Sequence, residues 1–107
     1  MKFLRIKPLG IKAEKVSSIF GMITGFMFSD SKVPKLFIFP KELYADIHML
    51  FVFKPLVIVW INKHKKIVAF SKAKPFLFYK VHKANYVLEI PDLKVIKKLR
   101  KGMKLRF

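Results

Sequence analysis

The segment HMLFVFKPLVIVWI, residues 48–61, contains two apolar blocks that only Lys54 and Pro55 separate. Its 14 residues are too few to cross a bilayer as a helix, which needs about 20 consecutive apolar residues. Each block has the length of a strand and is rich in aromatic and β-branched residues. Because neighbouring positions are all apolar, both faces of each strand must be covered. The segment therefore predicts two consecutive buried strands, residues 48–53 and 56–61.

The remaining strand predictions come from short apolar runs between turn residues. INKHKK, residues 61–66, predicts the turn of a hairpin that joins 56–61 to a strand at 67–70. The strand at 35–39 is predicted to end at Pro40, because proline cannot donate to a sheet. Further strands are predicted at residues 2–7 and 85–90, with a last edge strand at 103–107. Strands that are apolar on both faces favour a sandwich or a small filled barrel.

Two short helices complete the predicted domain. SSIFGMITG, residues 17–25, offers a serine N-cap, an apolar run and a terminal glycine. In DLKVIKKLRK, Leu93, Ile96 and Leu99 recur every three residues, and Gly102 follows, which predicts an amphipathic helix. No repeat or long linker divides the chain, so we expect a single domain over residues 1–107.

The charge is large and unevenly distributed. The 23 basic and 6 acidic residues give a net charge of +17. Residues 1–53 carry 8 basic and 4 acidic residues, whereas residues 54–107 carry 15 and 2. An excess of this kind indicates polyanionic partners such as nucleic acid. Lysine accounts for 20 of the 23 basic residues. Because lysine enrichment is also typical of thermophile proteins and of soluble surfaces, the charge has a second explanation.

The chain has no cysteine, which excludes disulfides, thiolate metal sites and a catalytic thiol. Its first residues, MKFLRIKPLGIKAEK, interleave charged and apolar residues and lack the apolar core of a secretory signal. The three histidines share no metal-binding spacing. We therefore expect a cytoplasmic protein with no membrane segment, no metal and no cofactor.

The strongest functional pattern is HKKIVAFSKAKPFLFYKVHKANY, residues 64–86, in which lysines alternate with aromatic rings. Lysines that contact phosphates beside rings that stack on bases are typical of single-strand binding. The alternative is that the rings, including Phe70 and Tyr86, lie in the core and the lysines are only solvated. A further basic group follows on the helix at 92–101. The candidate polyanion-binding residues are Lys63, Lys65, Lys66, Lys72, Lys74, Lys80, Lys83, Lys97, Lys98 and Lys101.

A candidate polar site consists of Asp46 and His48, which would share one face of an extended strand. A general base also needs a nucleophile or a phosphate loop, and the sequence offers neither a GxSxG elbow nor a glycine-rich loop. A hydrolase that uses this pair is therefore the least favoured hypothesis, and we predict no catalytic residue. Glu42 and Asp46 are more simply ion-pair partners for lysines. A second binding hypothesis uses the apolar helix IFGMIT as a surface for a protein partner, a small ligand or a second copy.

Several stretches, in order, resemble one family: GFMFSDS (25–31), LFIFP (36–40), the HM and KPL of residues 48–56, YVLEIP (86–91) and RKGMKLRF (100–107). This pattern is similar to the domain-of-unknown-function family 192. The resemblance implies a compact, mainly β (α+β) domain of jelly-roll-like or barrel-like form with one or two short helices, and it implies no activity. The Asp-x-Asp-Gly turn of such proteins is here Asn62-Lys63-His64-Lys65. This departure, with Val57 where an Asp is usual, removes polar groups that a shared active site would need.

Overall fold

The computed structural model describes residues 2–17, 33–45, 55–73 and 82–107. These residues form six strands and one 3₁₀ helix, in the order β1 (Phe3–Ile6), β2 (Ile11–Val16), β3 (Lys35–Ala45), β4 (Leu56–Ile61), β5 (Ile67–Ala73), β6 (His82–Ile90) and the helix (Leu93–Lys98). The predicted mainly β fold is confirmed. The predicted strand at 48–53 lies outside the described residues. So does the predicted helix at 17–25, except for its first residue, Ser17.

The strands form one mixed sheet in the order β1-β2-β3-β6-β4-β5. Only the β2–β3 pair is parallel, with Glu14 opposite Lys35, and the other neighbours are antiparallel. The hairpin predicted for residues 56–70 is confirmed, because β4 and β5 pair through the turn at Asn62–Lys66. The predicted strand at 85–90 is also confirmed and begins earlier, at His82.

The C-terminal segment, residues 103–107, connects the two edges of this sheet. On one side the Ile67 amide donates to the Met103 carbonyl at 2.9 Å, and Lys66 pairs with Lys104. On the other side Lys7 pairs with Arg106. The segment therefore lies between β5 and β1 and closes the sheet into a barrel-like form. The prediction of a final edge strand is wrong in this respect, since the residues form isolated bridges between two strands and leave neither edge free there.

Strand β4 is buried at all six of its positions, as its uninterrupted apolar sequence predicts. Its alternate side chains enter two different clusters. Val57, Val59 and Ile61 face a first core cluster inside the barrel. Leu56, Ile58 and Trp60 belong to a second cluster on the opposite face of the sheet. Both faces of β4 therefore contribute apolar burial.

Two strands differ from the predictions. Strand β3 continues through Pro40 to Ala45, with a register shift between Ile38 and Leu43 in its pairing with β6. This irregularity accommodates Pro40, because no ladder hydrogen bond is required of its missing N–H group. Strand β2 was not predicted at all. Its sequence, IKAEKV, buries only Ala13 fully and resembles a charged loop.

The predicted helix after Asp92 is a 3₁₀ helix of six residues. Its three-residue repeat agrees with the sequence spacing of Leu93, Ile96 and Leu99, which all pack against the first core cluster. Val95 is buried there as well. The Asp92 carboxylate caps the helix by accepting from the Lys94 amide at 3.0 Å. In the described part of the chain, no helix is long and apolar enough to cross a membrane.

Candidate polyanion interface

The turn between β4 and β5 is fixed by the side chain of its first residue. The Asn62 Oδ1 atom accepts from the amides of His64 and Lys66, at 2.9 and 3.0 Å. The Asn62 amide also donates to the Lys66 carbonyl at 2.9 Å. Lys65 adopts a left-handed conformation with φ of 61°. The Asn62 side chain thus accepts hydrogen bonds from two turn amides, which in an exposed loop would otherwise bind water.

Neighbouring segments hold this turn from two sides. The Lys63 amide donates to Glu42 Oε2 at 2.9 Å, which ties the turn to the irregular part of β3. The Lys104 ammonium donates to the His64 carbonyl at 2.7 Å, which ties the turn to the C-terminal segment. Because both anchors are charge-assisted hydrogen bonds, the turn has a defined position relative to the closure of the barrel.

Six basic side chains project from the outer surface around this closure, and we call them the basic face. Directly paired residues of adjacent strands point to the same side of a sheet, and so do residues two apart on one strand. Buried Leu105 and Ile6 mark the inward side, so their neighbours point outward. All six are exposed. The basic face consists of Arg5, Lys7, Lys12, Lys66, Lys104 and Arg106.

The register places the members of the basic face in three cross-strand pairs of like charge. These are Lys66 with Lys104, Lys7 with Arg106, and Arg5 with Lys12. Their Cα atoms lie about 4.5 to 5.5 Å apart, as in any antiparallel pair. Within the described ranges, none of these six cations forms an ion pair with a described carboxylate. Like charges directly opposite each other destabilise a sheet, so the arrangement has a cost that an anionic partner would remove.

Two of the predicted lysines, Lys83 and Lys65, have side-chain contacts within the protein. Lys83 Nζ lies 3.9 Å from Glu42 Oε1, in agreement with the predicted role of Glu42 as a partner for lysines. Lys65 Nζ donates to the Phe107 backbone oxygen at 2.6 Å and lies 4.5 Å from the centroid of the Phe107 ring. Lys66 belongs to the basic face. Lys63 contributes its amide to Glu42, and its side chain is exposed.

The other predicted lysines are dispersed. Lys72 is exposed on β5, opposite Val57, and Lys97, Lys98 and Lys101 are exposed on or after the 3₁₀ helix. Lys101 lines a shallow cavity of about 470 Å³ with Ala69, Phe70, Ser71 and His82. The predicted Lys74 and Lys80, and the candidate polar pair Asp46 and His48, lie outside the described residues.

The two described rings of this pattern, Phe70 and Tyr86, are less exposed than the prediction requires. Phe70 and Tyr86 are half-buried and pack against the first core cluster. Tyr86 also contacts Phe107 edge to face, with ring centroids 5.0 Å apart. Both rings contribute to the packing of the core, and neither is fully exposed. The expected alternation of exposed rings and lysines is therefore absent at these two positions.

Other chemistry has little support in the described part of the chain. Among those residues, no three His, Asp or Glu side chains are close enough together to hold a metal. Glu89 is their one buried charged residue, with 3% of its surface exposed. It lies on β6, opposite Lys35 of β3 and Ile58 of β4. Sequence reasoning gave Glu89 no site role, because it considered the acids only as pairs.

Sequence reasoning also missed most of the basic face. Its candidates came from the lysine-rich second half of the chain, whereas Arg5, Lys7 and Lys12 lie near the N-terminus. A usable signal was present, because the alternation of Leu4 and Ile6 with Arg5 already predicts an outward basic side for β1. The pairing of Lys7 with Arg106 has no sequence signal, since these residues are 99 positions apart.

The fold and this surface define a small, mainly β domain with a strongly basic outer side. The chain belongs to the DUF192 family (Uncharacterized ACR), whose family model matches residues 4–107. It is similar to UPF0127 protein PF1050 of Pyrococcus furiosus, with 26% identity over 88 residues, which is 79% of this chain and 76% of that protein. The predicted family is confirmed.

Two crystal structures share the fold. A protein of unknown function from Novosphingobium aromaticivorans superposes with a TM-score of 0.81 at 17% identity, over 98% of this chain and 85% of the other. A "putative transcription regulator" from Sinorhizobium meliloti superposes with a TM-score of 0.75 at 19% identity, over 90% and 81% of the two chains. At these identities the likeness is one of fold.

Proposed function

We propose that this protein is a non-enzymatic, single-domain module that binds nucleic acid through the basic face. The observation that carries the proposal is the set of three like-charge cross-strand pairs, Lys66–Lys104, Lys7–Arg106 and Arg5–Lys12. Each pair opposes the stability of the sheet, and none of the paired cations forms an ion pair with a described carboxylate. A phosphate backbone would neutralise several of these charges at once.

The arrangement favours a repeating anion over a small one. The six cations extend over four neighbouring segments, namely β2, β1, the C-terminal segment and the β4–β5 turn. At about 4.8 Å between neighbouring strands, they span about 14 Å. Several phosphates can contact this width together, whereas one small anion can contact only two or three cations. The cations bind phosphate oxygens and not base edges, so binding should depend little on sequence.

The Sinorhizobium meliloti protein gives limited additional support. It shares the fold, and its description as a "putative transcription regulator" is compatible with contact with nucleic acid. A nucleic-acid partner also agrees with the expected cytoplasmic location. The proposal does not use the remaining lysines, such as Lys97 and Lys98, which are exposed on a separate 3₁₀ helix.

Fluorescence anisotropy with labelled 20-nucleotide DNA, RNA and duplex DNA, from 50 to 300 mM salt, tests the proposal. The first variant replaces four residues of the basic face by glutamine: Lys7, Lys66, Lys104 and Arg106. The matched control replaces four exposed lysines elsewhere: Lys94, Lys97, Lys98 and Lys101. Both variants lose four positive charges.

We expect tight binding at low salt that weakens steeply as the salt concentration rises. For six phosphate contacts, the slope of log K against log salt should be no steeper than about −5. The basic-face variant should lose about three to four units of this slope, whereas the control should lose less than one. Equal losses in both variants would mean that net charge alone drives binding. No binding at 50 mM salt would reject the proposed function.

A further inference from the structure

Phe3 is an exposed ring next to the basic face. Its side chain is 40% exposed, and Val33 is the other exposed large apolar residue in the described part of the chain. Phe3 lies at the start of β1 on the same side as Arg5 and Lys7, because the three residues alternate with inward-facing Leu4 and Ile6. An apolar ring is thus presented to solvent at the end of a row of cations.

A cation accompanies this ring. Lys12 Nζ lies 5.3 Å from the centroid of the Phe3 ring, within the range of a cation–π contact. Lys12 pairs with Arg5, so the ring and two cations occupy adjacent positions on β1 and β2. Stacking of a base on a ring, with cations to receive the adjacent phosphates, is the combination that single-strand binding requires.

From this arrangement we infer that the nucleic acid bound by the basic face is single-stranded and that Phe3 is the ring on which one of its unpaired bases stacks. The inference rests on the proposed function and adds the class of nucleic acid to it. Bases of a duplex are already stacked on each other, so a duplex could use the cations but not the ring. Single strands therefore gain one contact that duplexes lack.

The dimensions agree with a short single strand. Phe3 and Lys7 are four residues apart on an extended chain, which is about 13 Å at 3.3 Å per residue. A single strand that follows this row would pass Arg5 and then Lys7. One base on Phe3, followed by phosphates near Arg5 and Lys7, would therefore use neighbouring positions of this row.

Glu14 determines on which side of Phe3 the phosphates run. It is opposite Phe3 in the pairing of β1 with β2, and opposite Lys35 in the pairing of β2 with β3. Its carboxylate repels phosphates that pass over β2 at this level. The backbone is therefore expected to leave Phe3 toward Arg5 and Lys7. Replacement of Glu14 by glutamine should strengthen single-strand binding by about twofold, because it removes this repulsion.

Equilibrium binding to a labelled 12-nucleotide oligo(dT) and to a 12-base-pair duplex, both at 100 mM salt, tests the inference. Phe3→Ala should weaken binding of the single strand by about 5- to 10-fold, near the lower end of the effect of one stacking ring, and should change duplex binding by less than twofold. Phe3→Leu is the matched control for apolar contact without a π face, and it should lose as much as Phe3→Ala. Phe3→Trp should restore single-strand binding, and the fluorescence of the new tryptophan should be quenched by oligo(dT).

The outcomes separate this inference from the proposed function. If neither oligonucleotide binds, the proposed function itself fails. If both bind equally and Phe3→Ala has the same effect on each, only the single-strand assignment fails. Full affinity in Phe3→Leu would replace base stacking by simple apolar contact and overturn the inference. A third arm uses vesicles of neutral and anionic phospholipid. Phe3-dependent binding to these vesicles, without binding to oligo(dT), would assign the surface to membranes instead.

Discussion

Lys7 and Arg106 exchange two backbone hydrogen bonds, of 2.9 and 2.8 Å, although their side chains carry the same charge. This pair forms one of the two attachments that close the barrel at the C-terminal segment. Backbone pairing and the burial of Leu105 therefore outweigh the repulsion between the two cations. The proposed function assigns this charge pair to the binding of phosphates.

Replacement of Arg106 by glutamate should stabilise the protein, because it converts a like-charge pair with Lys7 into an opposite-charge pair. We expect a gain of about 0.5 to 1 kcal/mol in the free energy of unfolding at 20 mM salt, and a smaller gain at 500 mM. The same variant should bind nucleic acid less tightly. Urea denaturation at both salt concentrations, with anisotropy on the same samples, measures the two effects.

Arg100→Glu is the matched control, since Arg100 is exposed and has no paired cation in the described part of the chain. It makes the same change in net charge. If it stabilises the protein as much as Arg106→Glu does, then relief of the overall positive charge is the cause, and the Lys7–Arg106 pair has no special role.

The Asn62 side chain should be essential to the turn that carries Lys66. Asn62→Ala removes an acceptor for the amides of His64 and Lys66, and should cost about 1 to 2 kcal/mol in the free energy of unfolding. Asn62→Asp keeps the acceptor and places a negative charge among lysines, so its stability should equal or exceed that of the unaltered protein. Thermal and urea unfolding compare the variants. A similar loss for alanine and aspartate would contradict the role given to the side-chain oxygen.

The two partners of Glu42 should differ in their effect on stability. The Lys63 amide lies 2.9 Å from Glu42 Oε2. Lys83 Nζ lies 3.9 Å from Glu42 Oε1, and the Lys83 side chain is 57% exposed. Glu42→Ala should therefore cost about 1 kcal/mol or more, because it removes a charge-assisted hydrogen bond to the turn. Lys83→Ala should cost less than about 0.5 kcal/mol. Equal losses would show that the ion pair, and not the amide contact, is the stabilising interaction.

The sequence predicts those parts of the fold that depend on local patterns. The hairpin of β4 and β5 follows from two apolar strands around the turn at Asn62–Lys66, and the repeat of Leu93 and Ile96 predicts a helical turn against the core. Strand β2 could not be predicted, because its pairing with β1 and β3 determines its conformation and its own sequence has few apolar residues. The three-residue repeat also did not distinguish a 3₁₀ helix from an α-helix.

The candidate site depends on long-range pairing, and here the sequence is less informative. The number of lysines predicted a polyanion partner, but the cations that lie together come from both ends of the chain. Lys104 and Lys66 become neighbours only when the C-terminal segment lies between β5 and β1. The sequence pattern places Lys65 and Lys66 in the same candidate set. In the structure Lys65 has a left-handed backbone, and its ammonium lies against Phe107.

The closure of the barrel by the C-terminal segment should depend on Leu105. This side chain is fully buried in the first core cluster between two exposed cations, Lys104 and Arg106. Leu105→Ala should reduce the free energy of unfolding by about 2 to 4 kcal/mol. Met103→Ala, at a half-buried position of the same segment, should have a smaller effect. Urea denaturation measures both values.

Amide hydrogen exchange by NMR distinguishes local opening of this segment from a general loss of stability. The amides of Lys7 and Ile67 donate to the carbonyls of Arg106 and Met103, so both should exchange faster in Leu105→Ala. The Asn62 amide, which donates to Lys66 within the turn, should be affected less. Faster exchange at all three positions by the same factor would mean that Leu105 stabilises the whole domain and not this segment in particular. Unchanged exchange at Lys7 and Ile67 would show that the backbone hydrogen bonds keep the C-terminal segment in place without the Leu105 side chain.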